Sequence, residues 1–190
     1  KYVYDHGMTD KTSITVESFG KVKYLDLTVE NGKVVKVKVN MGKPELTAKD
    51  VPVVSVHEQV IDEEIIVKEK SYRMTCVSMG NPHAVLFFDD VKTAPVEKYG
   101  KELEDHKNFP EKVNVGFAQV VNNHALNLRV FERGCGETLA CETGACAAAV
   151  VAITQGRVTS PVNVTLPGGT LRISWDGGKS PVMMSGPAQR

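Results

Sequence analysis

No stretch of this chain reaches the roughly 20 apolar residues that a membrane-spanning helix needs. Its first residues also lack the charged-then-apolar leader of an exported protein. Net charge is missing too, because 23 basic and 23 acidic side chains cancel. Without an excess of either sign, no overall field gathers nucleic acid or an anionic membrane. Metal-ligand spacing is absent as well. The cysteines, Cys76, Cys135, Cys141 and Cys146, form no C-x-x-C pair, and the histidines form no H-x-x-x-H pair. The expectation is a cytoplasmic protein with reduced thiols, no metal, no membrane contact and no nucleic-acid partner.

What remains is an ordinary globular balance, 42% apolar and 24% charged over 190 residues, enough for one domain or two small lobes. From Lys11 to Val39 the pattern is β. Leu25, Leu27 and Val29 alternate with polar residues, Asn31-Gly32 signals a type I′ hairpin, and Val35, Val37 and Val39 return. Ala84–Phe88, Val113–Val121 and Leu126–Phe131 read as further strands. Pro95–Asp105 reads as a short helix with Val96, Tyr99 and Leu103 on one side, and Gly144–Gln155 as a buried helix ended by Gly156.

The two ends of the chain resemble each other. Each runs from a helix end through a glycine (Gly7, Gly156), a strand (Ile14–Val16, Val162–Val164), a second glycine (Gly20, Gly169) and a third (Gly32, Gly178). A duplicated lobe is the expectation. Aligning Gly7 with Gly156 sets Lys1 against Val150, already beyond Cys141. The first copy's cysteine turn is therefore expected upstream of Lys1, with residues 1–37 a remnant of the first lobe and 38–190 the second.

The densest chemistry lies in ERGCGETLACETGACAAAVVA, Glu132 to Ala152. A cysteine at a helix start meets unpaired N–H groups and the positive end of the helix dipole, which favour thiolate and lower the pKa. The same N–H groups form a pocket for a carboxylate. Cys141 is thus a candidate base, nucleophile or redox thiol, against the plainer alternative of a small buried hydrophobe. In SMGNPHAVLFF, Asn81 and His83 bracket a tight turn and offer an amide and a candidate general base. Asn114, in a hydrophobic strand, needs a partner, and a ligand could be that partner. Glu132-Arg133, just before the cysteine turn, could receive an ammonium and clamp a carboxylate.

SMGNPH, EKVNVGF, ERGCGETLACETGACAAAV and VTLPGGTLRISW resemble, in order and spacing, the cofactor-independent diaminopimelate epimerases. The resemblance implies an α+β fold of two pseudosymmetric lobes, each a barrel-like sheet around a central helix, with the active site between them. It also implies a homodimer and no cofactor. One thiolate removes the α-proton of LL-diaminopimelate and a second thiol returns a proton to the opposite face, giving the meso form used for lysine and peptidoglycan precursors. It carries over to Cys141 as one of these two residues, to His83 and Glu132 as groups tuning the thiols, and to Asn81, Asn114, Glu132 and Arg133 as substrate contacts. The backbone of Glu142 and Thr143 would hold the reacting carboxylate.

Two departures follow from the same comparison. The other cysteine turn is not among these residues, so the chain alone is expected to be inactive. Glu142 stands where the family has glycine: pointing inward, it sets negative charge beside the carboxylate site and raises the Cys141 pKa; pointing outward, it costs only the flexibility of glycine. Rival expectations are a related isomerase of proline-racemase or phenazine type, a non-catalytic ligand-binding half, and a redox pair of Cys135 and Cys141.

Overall fold

The computed structural model describes residues 1–18 and 20–188; Phe19, within the stretch read as β, lies outside them. Strands β1 (Ser13–Ser18), β2 (Lys21–Glu30) and β3 (Lys33–Gly42) form an antiparallel meander, with the Asn31-Gly32 turn at positive φ on both residues. A hairpin, β4 (Glu63–Val67) and β5 (Lys70–Ser78), follows a loop with one short 3-10 turn. Then come β6 (Pro82–Phe87), the helix Val96–Glu104, β7 (Asn114–Asn122), β8 (Ala125–Glu132) and the short β9 (Gly136–Thr138). The long helix Glu142–Thr154 precedes a second meander, β10 (Val162–Leu166), β11 (Gly169–Ser174) and β12 (Val182–Pro187). With the opening turn Tyr2–Asp5 as α1, these helices are α2 and α3.

The strands join in the order β1-β2-β3-β12-β11-β10-β8-β7-β6-β5-β4, with β9 on the side of β8. The pairs β6·β7 and β8·β10 are parallel and the others antiparallel. The two meanders meet through β3 and β12, which pair antiparallel, so equivalent strands of the two copies lie side by side. Position 37/38 falls inside β3, where the sheet runs on unbroken.

The helix ends preceding the two meanders match in detail. Gly7 and Gly156 have φ of 69° and 68°. The Gly7 N–H reaches the Tyr4 carbonyl at 3.0 Å and Met8 N–H that of Val3 at 2.9 Å. Gly156 N–H reaches Ile153 and Arg157 N–H reaches Ala152, both at 2.9 Å. Both are Schellman closures, which need a left-handed residue that glycine adopts without a Cβ penalty. At equal distances after each glycine stand the starts of β1 and β10, and again of β3 and β12. The repeat read from the glycine spacing is a repeat of structure.

Helix α3 has no polar face. Ala145 to Ala152 are all fully buried, as a helix apolar all round must be. It is wrapped by β5 to β8, β10 and β11, and the alanines let those strands approach closely. A second core forms where α2 lays Val96, Tyr99 and Leu103 against β7 and the β4–β5 hairpin. Among the described residues no helix is long and apolar enough to cross a membrane.

Candidate active site

Cys141 is the N-cap of α3. Its backbone is extended (φ −146°, ψ 103°), its carbonyl accepts from Ala145 N–H at 2.9 Å, and its sulfur accepts from Gly144 N–H at 3.3 Å. Gly144 leaves little room for a side chain. A Cβ there would stand 3.0 Å from the sulfur and 3.1 Å from Val130 of β8. The approach to Cys141 is pinned from the other side, where Gly168 N–H bonds the Leu139 carbonyl at 2.7 Å and a Cβ on Gly168 would meet that oxygen at 2.9 Å. These two close approaches explain glycines in both the cysteine block and the LPGG turn.

The thiol pKa departs from the expectation. Burial, with Cys141 only 5% exposed, pushes it above the usual thiol range. The Gly144 N–H and the Thr143 hydroxyl pull it down, while the carboxylates of Glu132 and Glu142 push it further up. The helix terminus does favour thiolate, but loss of water outweighs it. Glu142 itself is exposed, so its carboxylate stands on the outside of the first helical turn.

From the sulfur a chain of polar contacts leads into the sheet. Thr143 Oγ1 lies 3.7 Å from Cys141 Sγ and accepts from Asn81 Nδ2 at 3.2 Å. Asn81 Oδ1 in turn accepts from His83 Nε2 at 3.0 Å. His83 is 1% exposed on β6, and burial together with the nearby Arg133 charge takes its pKa down to about 3. It is therefore a neutral donor that holds Asn81 by its oxygen, rather than a solvent-facing base.

Asn114, the other costly polar residue, has both ends of its amide engaged by backbone. Its Nδ2 donates to the Pro82 carbonyl and its Oδ1 accepts from Arg133 N–H, each at 2.9 Å. One side chain on β7 thus ties the start of β6 to the end of β8. Glu132 accepts a hydrogen bond from the Thr138 hydroxyl, and the exposed Arg133 reaches the Glu111 carbonyl at 3.0 Å. A cleft of about 380 Å³ lies between β2, β3 and Met79-Gly80, next to Asn81; Lys21, Lys23, Asn40 and Lys43 line it and Cys141 does not.

The sequence model of the family described as diaminopimelate epimerase matches residues 75–190. A diaminopimelate epimerase of Methanococcus maripaludis (strain DSM 14266) is 48% identical over 188 residues, covering 99% of this chain and 68% of that protein. One from Pseudomonas entomophila (strain L48) is 48% identical over 190 residues, covering 100% of this chain and 67% of that protein.

The chain belongs to the diaminopimelate epimerase family.

It spans about two thirds of the length of these family members. The fold is shared more widely. A hydroxyproline epimerase from Agrobacterium vitis superposes with a TM-score of 0.70 at 15% identity, over 97% of this chain and 60% of that one. A PhzF-family phenazine biosynthesis protein from Bacillus anthracis gives 0.61 at 14% identity, over 97% and 69%. At such identities the likeness concerns the sheet-dominated α+β fold, with its few helices, and nothing finer.

Of the site residues read from the family motifs, Cys141, Thr143, Asn81 and His83 form one connected chain, and Asn114 joins Arg133 through the backbone. Glu132 stands apart on Thr138. Glu104 was missed. It is a buried carboxylate whose Oε1 accepts from Gly134 N–H at 2.6 Å. The signal was present, because Val96, Gly100 and Glu104 fall four apart on the inward face of α2.

Proposed function

We propose that this chain supplies one half of the proton-transfer pair of a diaminopimelate epimerase, with Cys141 as the acid/base residue facing one side of the substrate's α-carbon. The observation that carries the proposal is the Cys141 sulfur at the amino end of α3, bonded by Gly144 N–H and backed by Thr143, Asn81 and His83, in a chain of this family.

An amino-acid α-proton is far too weak an acid for a thiolate in water. A dry site with fixed N–H donors must carry the developing negative charge. The backbone of Glu142 and Thr143 supplies such donors to the reacting carboxylate. Asn81, Asn114, Glu132 and Arg133 hold the rest of the substrate, Arg133 after exchanging the Glu111 carbonyl for a carboxylate. His83 acts through Asn81, and Glu132 through its charge on the thiol. The raised pKa makes Cys141 a thiol at rest, so in the free site it is the proton donor; once ionised it is the stronger base for the reverse direction.

Inversion needs a second acid/base group on the opposite face, because one base returns the proton to the face it left. We assign that group to a segment outside residues 1–190, in a lobe of which residues 1–37 are part, with 38–190 forming the lobe of Cys141. The protein works without a cofactor, in the cytoplasm, as a homodimer. The test is stereochemical. Residues 1–190 alone should give no detectable conversion of LL- to meso-diaminopimelate, and a chain completed with the second thiol should convert it. Turnover by residues 1–190 alone would overturn the two-thiol scheme.

A further inference from the structure

Two consecutive backbone N–H groups in the turn after β8 are each taken by a side chain from a different element. Arg133 N–H goes to Asn114 on β7, and Gly134 N–H goes to Glu104 at the last position of α2. The turn's own bond, Cys135 N–H to the Glu132 carbonyl at 3.0 Å, completes the set. Glu104 is 1% exposed, yet its second oxygen still meets Lys101 Nζ at 2.8 Å. Lys101 also contacts Asp105 at 3.0 Å, and Asp105 contacts Lys112 at 3.1 Å, so the buried charge is balanced by a network that reaches solvent.

Burying a carboxylate is unfavourable unless it is paired and hydrogen-bonded. Burial raises the Glu104 pKa, and the bonds from Lys101 and Gly134 more than reverse this, leaving it below the usual value. A helix end needing only a surface ion pair would not turn the carboxylate inward to a glycine amide. Helix α2 is itself seated without slack, since a Cβ on Gly100 would lie 2.4 Å from the Phe131 ring of β8.

We infer that Glu104 is a positioning residue, which fixes the Glu132–Gly136 turn through Gly134 and so sets the direction in which Glu132 and Arg133 meet the substrate. The inference rests on the assignment of Cys141, Glu132 and Arg133 to a diaminopimelate site. It requires that loss of Glu104 weaken substrate binding far more than it changes the unliganded Cys141 thiol, which sits on another element and feels the turn only through the Glu132 charge.

The experiment measures the diaminopimelate concentration that half-protects Cys141 from iodoacetamide. Glu104→Ala should raise it about tenfold, the scale of one charge-assisted hydrogen bond, with the ligand-free alkylation rate of Cys141 changing far less, because Glu132 is a minor influence on that thiol. Glu104→Gln keeps an acceptor for Gly134 but turns an amide NH₂ toward Lys101, so its loss should be partial. Lys101→Met in the Glu104→Gln background should then recover binding, a rescue that general destabilisation of α2 would not produce. Should Glu104→Ala fail to fold, the Gln variant and its rescue decide the matter. Equal half-protection in wild type and folded variants, with faster hydrogen exchange at the Gly134 amide in the variants, would overturn the inference alone. An unprotected Cys141 in the wild type would overturn the site assignment and the inference with it.

Discussion

The hydroxyl of Thr143 lies 3.7 Å from the sulfur of Cys141 while accepting the Asn81 amide at 3.2 Å. Because the Asn81 proton occupies a lone pair, the hydroxyl hydrogen is free to point at sulfur. Thr143 is therefore the second donor, after the Gly144 N–H, that works against burial at this thiol.

Thr143→Val removes that donor while keeping the shape of the side chain. The Cys141 pKa should rise further, and at pH 8 its reaction with iodoacetamide should slow roughly threefold. Thr143→Ser should react like the wild type. Equal rates for the Val and Ser variants would show that the hydroxyl does not act on the sulfur.

His83 gives a pH dependence with a defined sign. Its pKa is near 6.5 in the unfolded chain and about 3 when folded. Between those values the unfolded chain binds a proton that the folded chain refuses, so stability falls as pH drops below 6.5. The slope from this one group is about 1.4 kcal/mol per pH unit. Urea unfolding at pH 6.5 and 5.0 should show the loss in the wild type, and His83→Gln should flatten it by that amount. An unchanged slope in the variant would remove His83 from the account.

Gly100→Ala tests the seat of α2. Alanine is the better helix former, but its Cβ would stand 2.4 Å from the Phe131 ring. Overpacking of this kind destabilises by about 1–3 kcal/mol, so the midpoint of unfolding should fall despite the gain in propensity. A rise in stability would mean that Phe131 moves aside freely.

Several elements were legible because their signals are local. Asn31-Gly32 turns β2 into β3 as its type I′ chemistry requires, and the spacing of Val96, Tyr99 and Leu103 marked α2. Gly7 and Gly156 revealed the repeat because each is forced into the same left-handed cap. The hairpin of β4 and β5 was not read. Its turn uses Lys68 and Glu69 at positive φ in place of Asn-Gly, and Met74 to Val77 in β5 are buried on both faces, so no alternation appears.

At the site, the cysteine block and the Asn-Pro-His turn announced themselves by composition, and the fold brings them together through Thr143. What sequence could not weigh was water. The helix terminus argued for a lowered Cys141 pKa, and only the packing around the sulfur shows that burial prevails. For the same reason His83 read as a candidate base although it is a buried donor, and the two backbone bonds that satisfy the Asn114 amide could not be read from the chain.

Selective protection of one sulfur tests the central claim most directly. Without ligand, iodoacetamide should modify the exposed Cys135 first and Cys141 more slowly. Cys76 and Cys146, both fully buried and the latter with its pKa pushed up to about 12, should react only on unfolding. Peptide mapping with saturating diaminopimelate should show Cys141 alkylation falling about tenfold or more, with Cys135 unaffected. Equal rates at Cys141 with and without diaminopimelate would contradict its assignment to the substrate site.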